Sequence, residues 1–346
     1  MQRRYSVIIT FTALFAFWGI GKYVAFQRVN ALIKEANQHG NQLTVENFSV
    51  KFQLLALGLT AENIQLKQRV GNRLIAGKVN HLNLSGLGLT GLLLKQTPTA
   101  GSLVIDGLDL TIRDSVITQL DSAKNKSPEQ SLLKFKEIHI TNGNVEKIRD
   151  HQKRVAKFNG INLSVAEFML PLAPKFIESI DLSIDSIQAP NDQTAADWLI
   201  TNLKHAPNTE VFSIEQVTKT PRSTAKNFLT SLAYKKEWMA IRLDSVSIGN
   251  FPLDELLKGE PATVGKLDIQ DLNIAVYENP SLERDPAEPK KLMPVEDFRR
   301  LKMPLTIDKL AVNRCQIEYG AVSDTGRKAK LRLENGAIEV SNFSTI

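Results

Sequence analysis

The chain has 346 residues, of which 42% are hydrophobic and 23% charged, a globular balance that excludes a wholly disordered chain. Its single cysteine, Cys315, excludes an intramolecular disulfide and any zinc site built on several thiolates. The formal charge of +6 comes from scattered basic residues without a basic–aromatic cluster, which argues against nucleic acid and leaves a solvated surface or attraction to anionic lipid headgroups.

Residues 5–26 are almost entirely apolar (YSVIITFTALFAFWGIGKYVAF). As a helix this run spans roughly 30 Å, one bilayer core. Trp18 and Tyr23 fall toward one end, where an interfacial belt would lie. A retained anchor is favoured over a cleaved signal, because Gly19-Ile20-Gly21 is not an A-x-A site and the apolar run continues past it. Helical spacing continues over residues 24–37 and ends at Gly40, a C-cap glycine. Strands are predicted at 43–52, 57–66, 76–89 and 102–113, with a short helix at 91–96 stopped before Pro98. A polar loop covers 121–130. Farther on, apolar spacing predicts helices at 194–205 (Ala195, Trp198, Leu199, Leu203), 224–234 and 252–258. A charged loop at 283–291 leads into a short helix at 295–301. The strand pattern still runs at Ile346, which suggests a piece of a longer protein.

One pattern recurs along the chain. With h for apolar, it reads h-x-h-x-x-h-x-h. It occurs at Leu82, Leu84, Leu87, Leu89; Leu103, Ile105, Leu108, Leu110; and Ile161, Leu163, Ala166, Phe168. It returns at Ile241, Leu243, Val246, Ile248; Leu267, Ile269, Leu272, Ile274; and Leu305, Ile307, Leu310, Val312. Weaker copies start at Ile138, Leu182, Phe212 and Leu331. Alternation marks strands, and the central x-x reverses the parity. Either a bulge, with two residues facing one, or a tight turn between two short strands keeps the apolar set on one face. Intervals between copies are too irregular for a strict solenoid.

Little of the sequence carries reaction chemistry. Gly86-Leu-Gly-Leu-Thr-Gly91 matches a dinucleotide loop in letters only, since neither a full helix nor a βαβ unit follows. His39, His81, His139, His151 and His205 are too dispersed for a metal site. Asp106, Asp109, Asp181, Asp185, Asp268 and Asp271 sit at strand bends, where bonding to their own backbone explains them. Asn142-Gly143 is a hairpin-turn signal, and Cys315 sits in an alternating strand as a buried thiol. The expectation is a protein that is not an enzyme and needs no cofactor or metal.

The apolar face has two solutions: closure into a sandwich or barrel as ordinary core, or a gutter open enough to hold acyl chains. Several stretches carry a resemblance that bears on the choice. They are Met1-Gln-Arg-Arg4 before the apolar run, Leu57–Leu66, Leu82–Leu94 leading to Leu103–Ile112, Phe135–Val145 and Leu305–Tyr319. This layout resembles the AsmA-like family, which includes TamB-type proteins and is related to chorein-type bridge-like lipid-transfer proteins. The resemblance implies a mainly β fold with a few short helices: an elongated, strongly twisted antiparallel sheet forming a gutter behind an N-terminal transmembrane helix. It implies residues 1–26 as transmembrane anchor, 27–40 as juxtamembrane helix, 41–115 as an N-terminal β unit, and 116–346 as a repeating β-groove region with helical insertions. It further implies an inner-membrane protein of the Gram-negative envelope, with the bulk of the chain in the periplasm. Its partners would be membrane phospholipids and envelope proteins, and its role would lie in lipid transport for outer-membrane biogenesis. The groove candidates are Leu82, Leu84, Leu103, Ile105, Leu108, Leu110, Ile138, Ile140, Ile161, Leu163, Ile241, Leu243, Leu267, Ile269, Leu305 and Ile307. The alternative is an anchored β-sandwich scaffold for envelope assembly.

Overall fold

The computed structural model describes residues 27, 34, 42–53, 56–70, 73–88, 99–114, 133–149, 153–170, 180–192, 194–206, 211–252, 255, 260–286, 305–323 and 328–344. Gln27 and Lys34 are helical. The rest of the predicted juxtamembrane helix, the anchor, the helices at 91–96 and 295–301 and the loop at 121–130 lie outside the described residues. Of the predicted helix at 252–258, only Glu255 is described as helical.

The described chain is mainly strand. The strands are β1 (Gln42–Thr44), β2 (Asn47–Gln53), β3 (Ala56–Val70), β4 (Arg73–Gly88), β5 (Thr99–Asp114), β6 (Leu133–Arg149) and β7 (Lys153–Leu170). They continue with β8 (Ile180–Asn191), β9 (Ala196–Ala206), β10 (Val211–Pro221), β11 (Trp238–Gly249), β12 (Ala262–Glu278), β13 (Leu305–Val322) and β14 (Lys328–Ser344). A single helical segment longer than one residue is described, α1 (Ala225–Thr230). The hydrogen-bonded order is β1-β3-β4 and then consecutively to β14, with β2 also pairing with β3. Two compact units divide the chain: residues 1–153 with 162–176, and 154–161 with 177–346.

Most strand pairs are antiparallel, as meandering alternation predicts, but two are parallel. In the first unit β5 pairs parallel to β6, and in the second β12 pairs parallel to β13. A parallel neighbour requires a long crossover. The predicted polar loops at 121–130 and 283–291 fall in the two connections that make these crossovers. The predicted helix at 194–205 is strand β9 instead. There the h-x-x-h step of the repeat supplies an i, i+3 spacing that imitates a helix period. Of the helix predicted at 224–234, residues 225–230 form α1, and 231–234 are turn and bend. Thr224 caps it by accepting from the Asn227 N–H at 3.3 Å.

The parity reversal has a structural origin that is neither a turn nor, in most copies, a bulge. Between β3 and β4, Glu62 faces His81 and Ile64 faces Val79, leaving Asn63 against Asn80. Between β4 and β5, Val79 faces Leu108 and His81 faces Asp106, leaving the same Asn80 against Gly107. The second unit repeats this from strand to strand: Asp185 against Asn202, Asn202 against Glu215, Glu215 against Ser245, and Ser245 against Gln270. One residue stands against one, so both strands reverse parity together and register is kept. The result is a crease running across neighbouring strands within each unit. Left-handed backbone marks it at Asn63, Gly107, Asn142, Asn202, Ser245 and Asn335. The two-against-one bulge occurs at Ser85-Gly86 facing Gly58, where the register shifts and Gly86 has φ +68°. The β13–β14 pair also shifts, on either side of Cys315. Asn142-Gly143 is therefore no hairpin turn; it lies inside β6 with Asn142 at φ 54°.

In the second unit α1 seals a small core. Leu229 and Val322 are fully buried, and Ala225 and Tyr277 nearly so, with Phe228, Leu232, Trp238 and Ala275 packed around them. The Trp238 indole N–H donates to the Ser223 carbonyl at 2.8 Å, which ties the helix entry to β11.

Candidate functional site: an apolar sheet face

The registers assemble the apolar repeats into rows. In the first unit Ala61, Leu82, Ile105 and Ile140 are successive cross-strand partners, and Leu59, Leu84, Leu103 and Ile138 form the next row. Beyond the crease, Ile64, Val79 and Leu108 make a row, followed by Leu66, Gly77, Leu110 and Val145. Leu110 leans over Gly77, and a Cβ built there would lie 3.5 Å from Leu110 Cγ.

The second unit repeats the arrangement. Ile184, Leu203, Ile214, Val246, Ile269, Val312 and Ile338 face one another in sequence across seven strands. Beside them run Leu182, His205, Phe212, Ile248, Leu267 and Leu310. Across the crease Ile187, Ile200, Val217, Leu243, Leu272 and Cys315 form a row, and Ile241 pairs with Ile274. Leu305 and Ile307 stand beside Ala262 and Val264. Ile161 and Leu163 lie on β7, the strand divided between the two units.

Burial separates this face from an ordinary core. Of the sixteen groove candidates only Ile138 and Ile307 are buried, each at 8% exposure; the others are partly open. A sealed core would bury most of them. The rows also contain apolar residues that the sequence reading missed, namely Ile200 and Leu203 of β9. The signal was present, because Trp198, Ile200, Leu203 and His205 repeat h-x-h-x-x-h-x-h with histidine in the last slot.

The crease itself carries a polar ladder. Asp106 accepts from the Thr141 hydroxyl at 2.7 Å and the Asn142 amide at 2.9 Å. Those two bonds hold its carboxyl below the usual range. Asn142 N–H donates to Asn162 Oδ1 at 3.2 Å, and Asn63 Nδ2 donates to Glu46 at 2.8 Å. In the second unit Asn159 donates to Ser186 at 3.0 Å, Asn202 donates to Glu215, and Gln216 donates to Asp244 at 2.7 Å. Burial pushes the Asp244 carboxyl up, but the bonds from Gln216 and Arg242 outweigh it and leave a lowered value. Asp106 therefore bonds the neighbouring strand as well as its own backbone, which corrects the expectation of purely local turns. Asp185 extends over Gly160 in the same way, as Asn80 does over Gly107.

In the second unit a cleft of about 820 Å³ is lined by Trp238, Ile241, Ile274 and Ala275, with Arg222, Glu318 and Arg332 at its margin. Its charges are already engaged. Arg222 bonds Asp192 at 2.8 Å and Asp197 at 2.6 Å, Arg332 bonds Glu334 at 2.9 Å, and Glu318 accepts from the Tyr277 hydroxyl and from Lys330 at 3.2 Å. The Glu318 bond, with burial, pushes the Tyr277 phenol up to about 12 and draws the Glu318 carboxyl down. Burial alone raises the thiol of Cys315, which is 0% exposed. His205 is buried among Phe212 and Phe251 with Nδ1 unpartnered. Among the described residues no three metal-ligating side chains come together, and no helix is long and apolar enough to cross a membrane. No protein-family model matches the chain, and no curated protein matches its sequence.

Proposed function

We propose that this protein is a membrane-anchored lipid-binding or lipid-transfer protein of the Gram-negative envelope. In this reading residues 1–26 anchor the chain in the inner membrane, and the sheet holds phospholipid acyl chains in the periplasm for outer-membrane biogenesis. The observation that supports it is the apolar face, built in long cross-strand rows yet left partly open at nearly every candidate position. Exposed apolar area of this extent is typical of a binding surface. An acyl chain needs no specific polar contact: each buried CH₂ contributes about 0.8 kcal/mol, so a sixteen-carbon chain gains on the order of 10 kcal/mol. A face of this kind is consistent with a binding protein that lacks a catalytic motif.

The test is native mass spectrometry with lipid extraction on the full chain, purified in detergent from a bacterial membrane fraction. A Leu108→Asp variant serves as the comparison. Stoichiometric phospholipid on the wild type, lost in a folded Leu108→Asp protein, is the expected result. Equal lipid on both would place the lipid away from the sheet and overturn the reading. A lipid-free wild type, with Leu108→Asp unfolding the chain, would favour the anchored scaffold.

A further inference from the structure

In the row Leu182, His205, Phe212, Ile248, Leu267 and Leu310 of the second unit, one side chain is polar. His205 takes the last place of the repeat on β9, where the six full copies carry Leu89, Leu110, Phe168, Ile248, Ile274 and Val312. Its side chain is nevertheless buried, at 6% exposure, and Nδ1 has no hydrogen-bond partner. Among the described residues it is the one buried side-chain nitrogen or oxygen left in that state. A polar atom buried without a partner is destabilising, and native proteins leave few of them.

Aromatic rings surround the imidazole. The Phe212 ring lies 6.4 Å from it between centroids, and the Phe251 ring 6.1 Å away at an interplanar angle of 62°. Phe251 in turn stacks on Phe212 at 4.6 Å and 23°. The two rings are held differently. Phe212 is part of β10, whereas Phe251 follows the end of β11 and belongs to no strand. Asn250, at φ 51°, bends the chain just before it. Among the described residues no backbone hydrogen bond holds Phe251. Neither the row of His205 nor the row that begins at Ile184 contains a charged residue.

We infer that His205 is a specificity-determining residue of the apolar face in the second unit, its Nδ1–H donating to the ester carbonyl of an acylated lipid. The inference rests on the lipid-binding reading above and adds the chemical class of the ligand. In the tautomer protonated at Nδ1 the orphaned atom is a donor and requires an acceptor. A phosphate does not fit, because its charge would be desolvated among phenyl rings with no opposite charge in the row. A bare hydrocarbon would leave Nδ1 as it is. An acyl ester supplies a neutral acceptor attached to apolar chain, so the carbonyl pairs with the imidazole while the chain lies on the rows. The lipid reaches Nδ1 by displacing Phe251, which covers the imidazole in the unloaded protein.

The experiment incubates the full chain in detergent with equal amounts of dipalmitoyl phosphatidylcholine and its di-O-hexadecyl analogue. The analogue keeps the headgroup and chain length but has a methylene in place of each ester carbonyl. Mass spectrometry of the protein-bound lipid gives the ester-to-ether ratio. Wild type should enrich the ester lipid several-fold, because the ether leaves a buried donor unpaired. His205→Leu and His205→Phe should return the ratio to that of the input, with total bound lipid and melting temperature no lower than wild type. Should one of them melt early, the other carries the test. Phe251→Ala should load the ester lipid faster and keep the preference. Wild-type lipid at the input ratio, a preference that survives both His205 substitutions, early melting of both, or unchanged loading of Phe251→Ala would overturn this inference and leave the lipid-binding reading standing. A wild type that takes up neither lipid would overturn both.

Discussion

Replacing Gly107 by alanine tests the crease directly. Gly107 has φ +65°, and a Cβ built on it would lie 2.1 Å from Asn80 Nδ2, 2.7 Å from Cγ and 3.0 Å from Cβ. The left-handed backbone costs an L-residue about 1–2 kcal/mol. Displacing the Asn80 side chain adds about 1 kcal/mol of overpacking. The smaller conformational freedom of alanine in the unfolded chain offsets roughly 0.5 kcal/mol. The net destabilisation is therefore about 2 kcal/mol, to be read as a shift in urea midpoint at constant slope. Asn80→Ala removes the group that collides, so the double variant should recover about 1 kcal/mol of the Gly107→Ala loss, a coupling measurable by a double-mutant cycle. Gly77→Ala is the control. Gly77 sits in the same sheet without positive φ, and its built Cβ meets its nearest neighbours at 3.4–3.6 Å. A Gly107→Ala midpoint equal to that of Gly77→Ala, or additive single variants, would refute the account.

Cys315 should resist alkylation in the folded protein and react stoichiometrically in denaturant, since it is 0% exposed with its thiol raised by burial; a mass-shift assay with iodoacetamide reads both states. Leu229→Ala should cost about 2–5 kcal/mol, because the side chain is fully buried beneath α1, and a urea titration followed by Trp238 fluorescence checks it. Asp106 has a lowered folded pKa, so its contribution is present above its unfolded value of 3.8 and fades as pH falls through the folded value. Asp106→Asn should lessen the loss of stability as pH falls below 3.8, and an unchanged slope there would count against the Thr141 and Asn142 bonds. Tyr277 shows the opposite sign: its raised pKa contributes stability that is full below 10.0 and is lost as pH rises through about 12. Tyr277→Phe should lessen the loss of stability between pH 10 and 12, measured by unfolding at each pH.

The fold class was legible in the local pattern of apolar residues. Strands β3, β4 and β5 run through the predicted segments because period-two alternation with one polar side admits no other regular structure. The apolar residues of the candidate face were also legible, since the parity reversal leaves its mark in the letters. Strand direction was not: alternation is the same beside a parallel or an antiparallel neighbour, and the crossovers before β6 and β13 are decided by which strands meet. Nor was the identity of β9, where the crease step copies a helix spacing and only pairing with β8 and β10 settles the backbone. The crease depends wholly on tertiary structure. Asn63 and Ser245 are ordinary polar letters until a neighbouring strand sets an acid or amide against them, and that juxtaposition joins residues from separate strands. Amino-acid order by itself fixed which side chains are apolar and at what period. The pairing of distant strands decided that they form a partly open face in each unit, because exposure belongs to neighbours and not to residues.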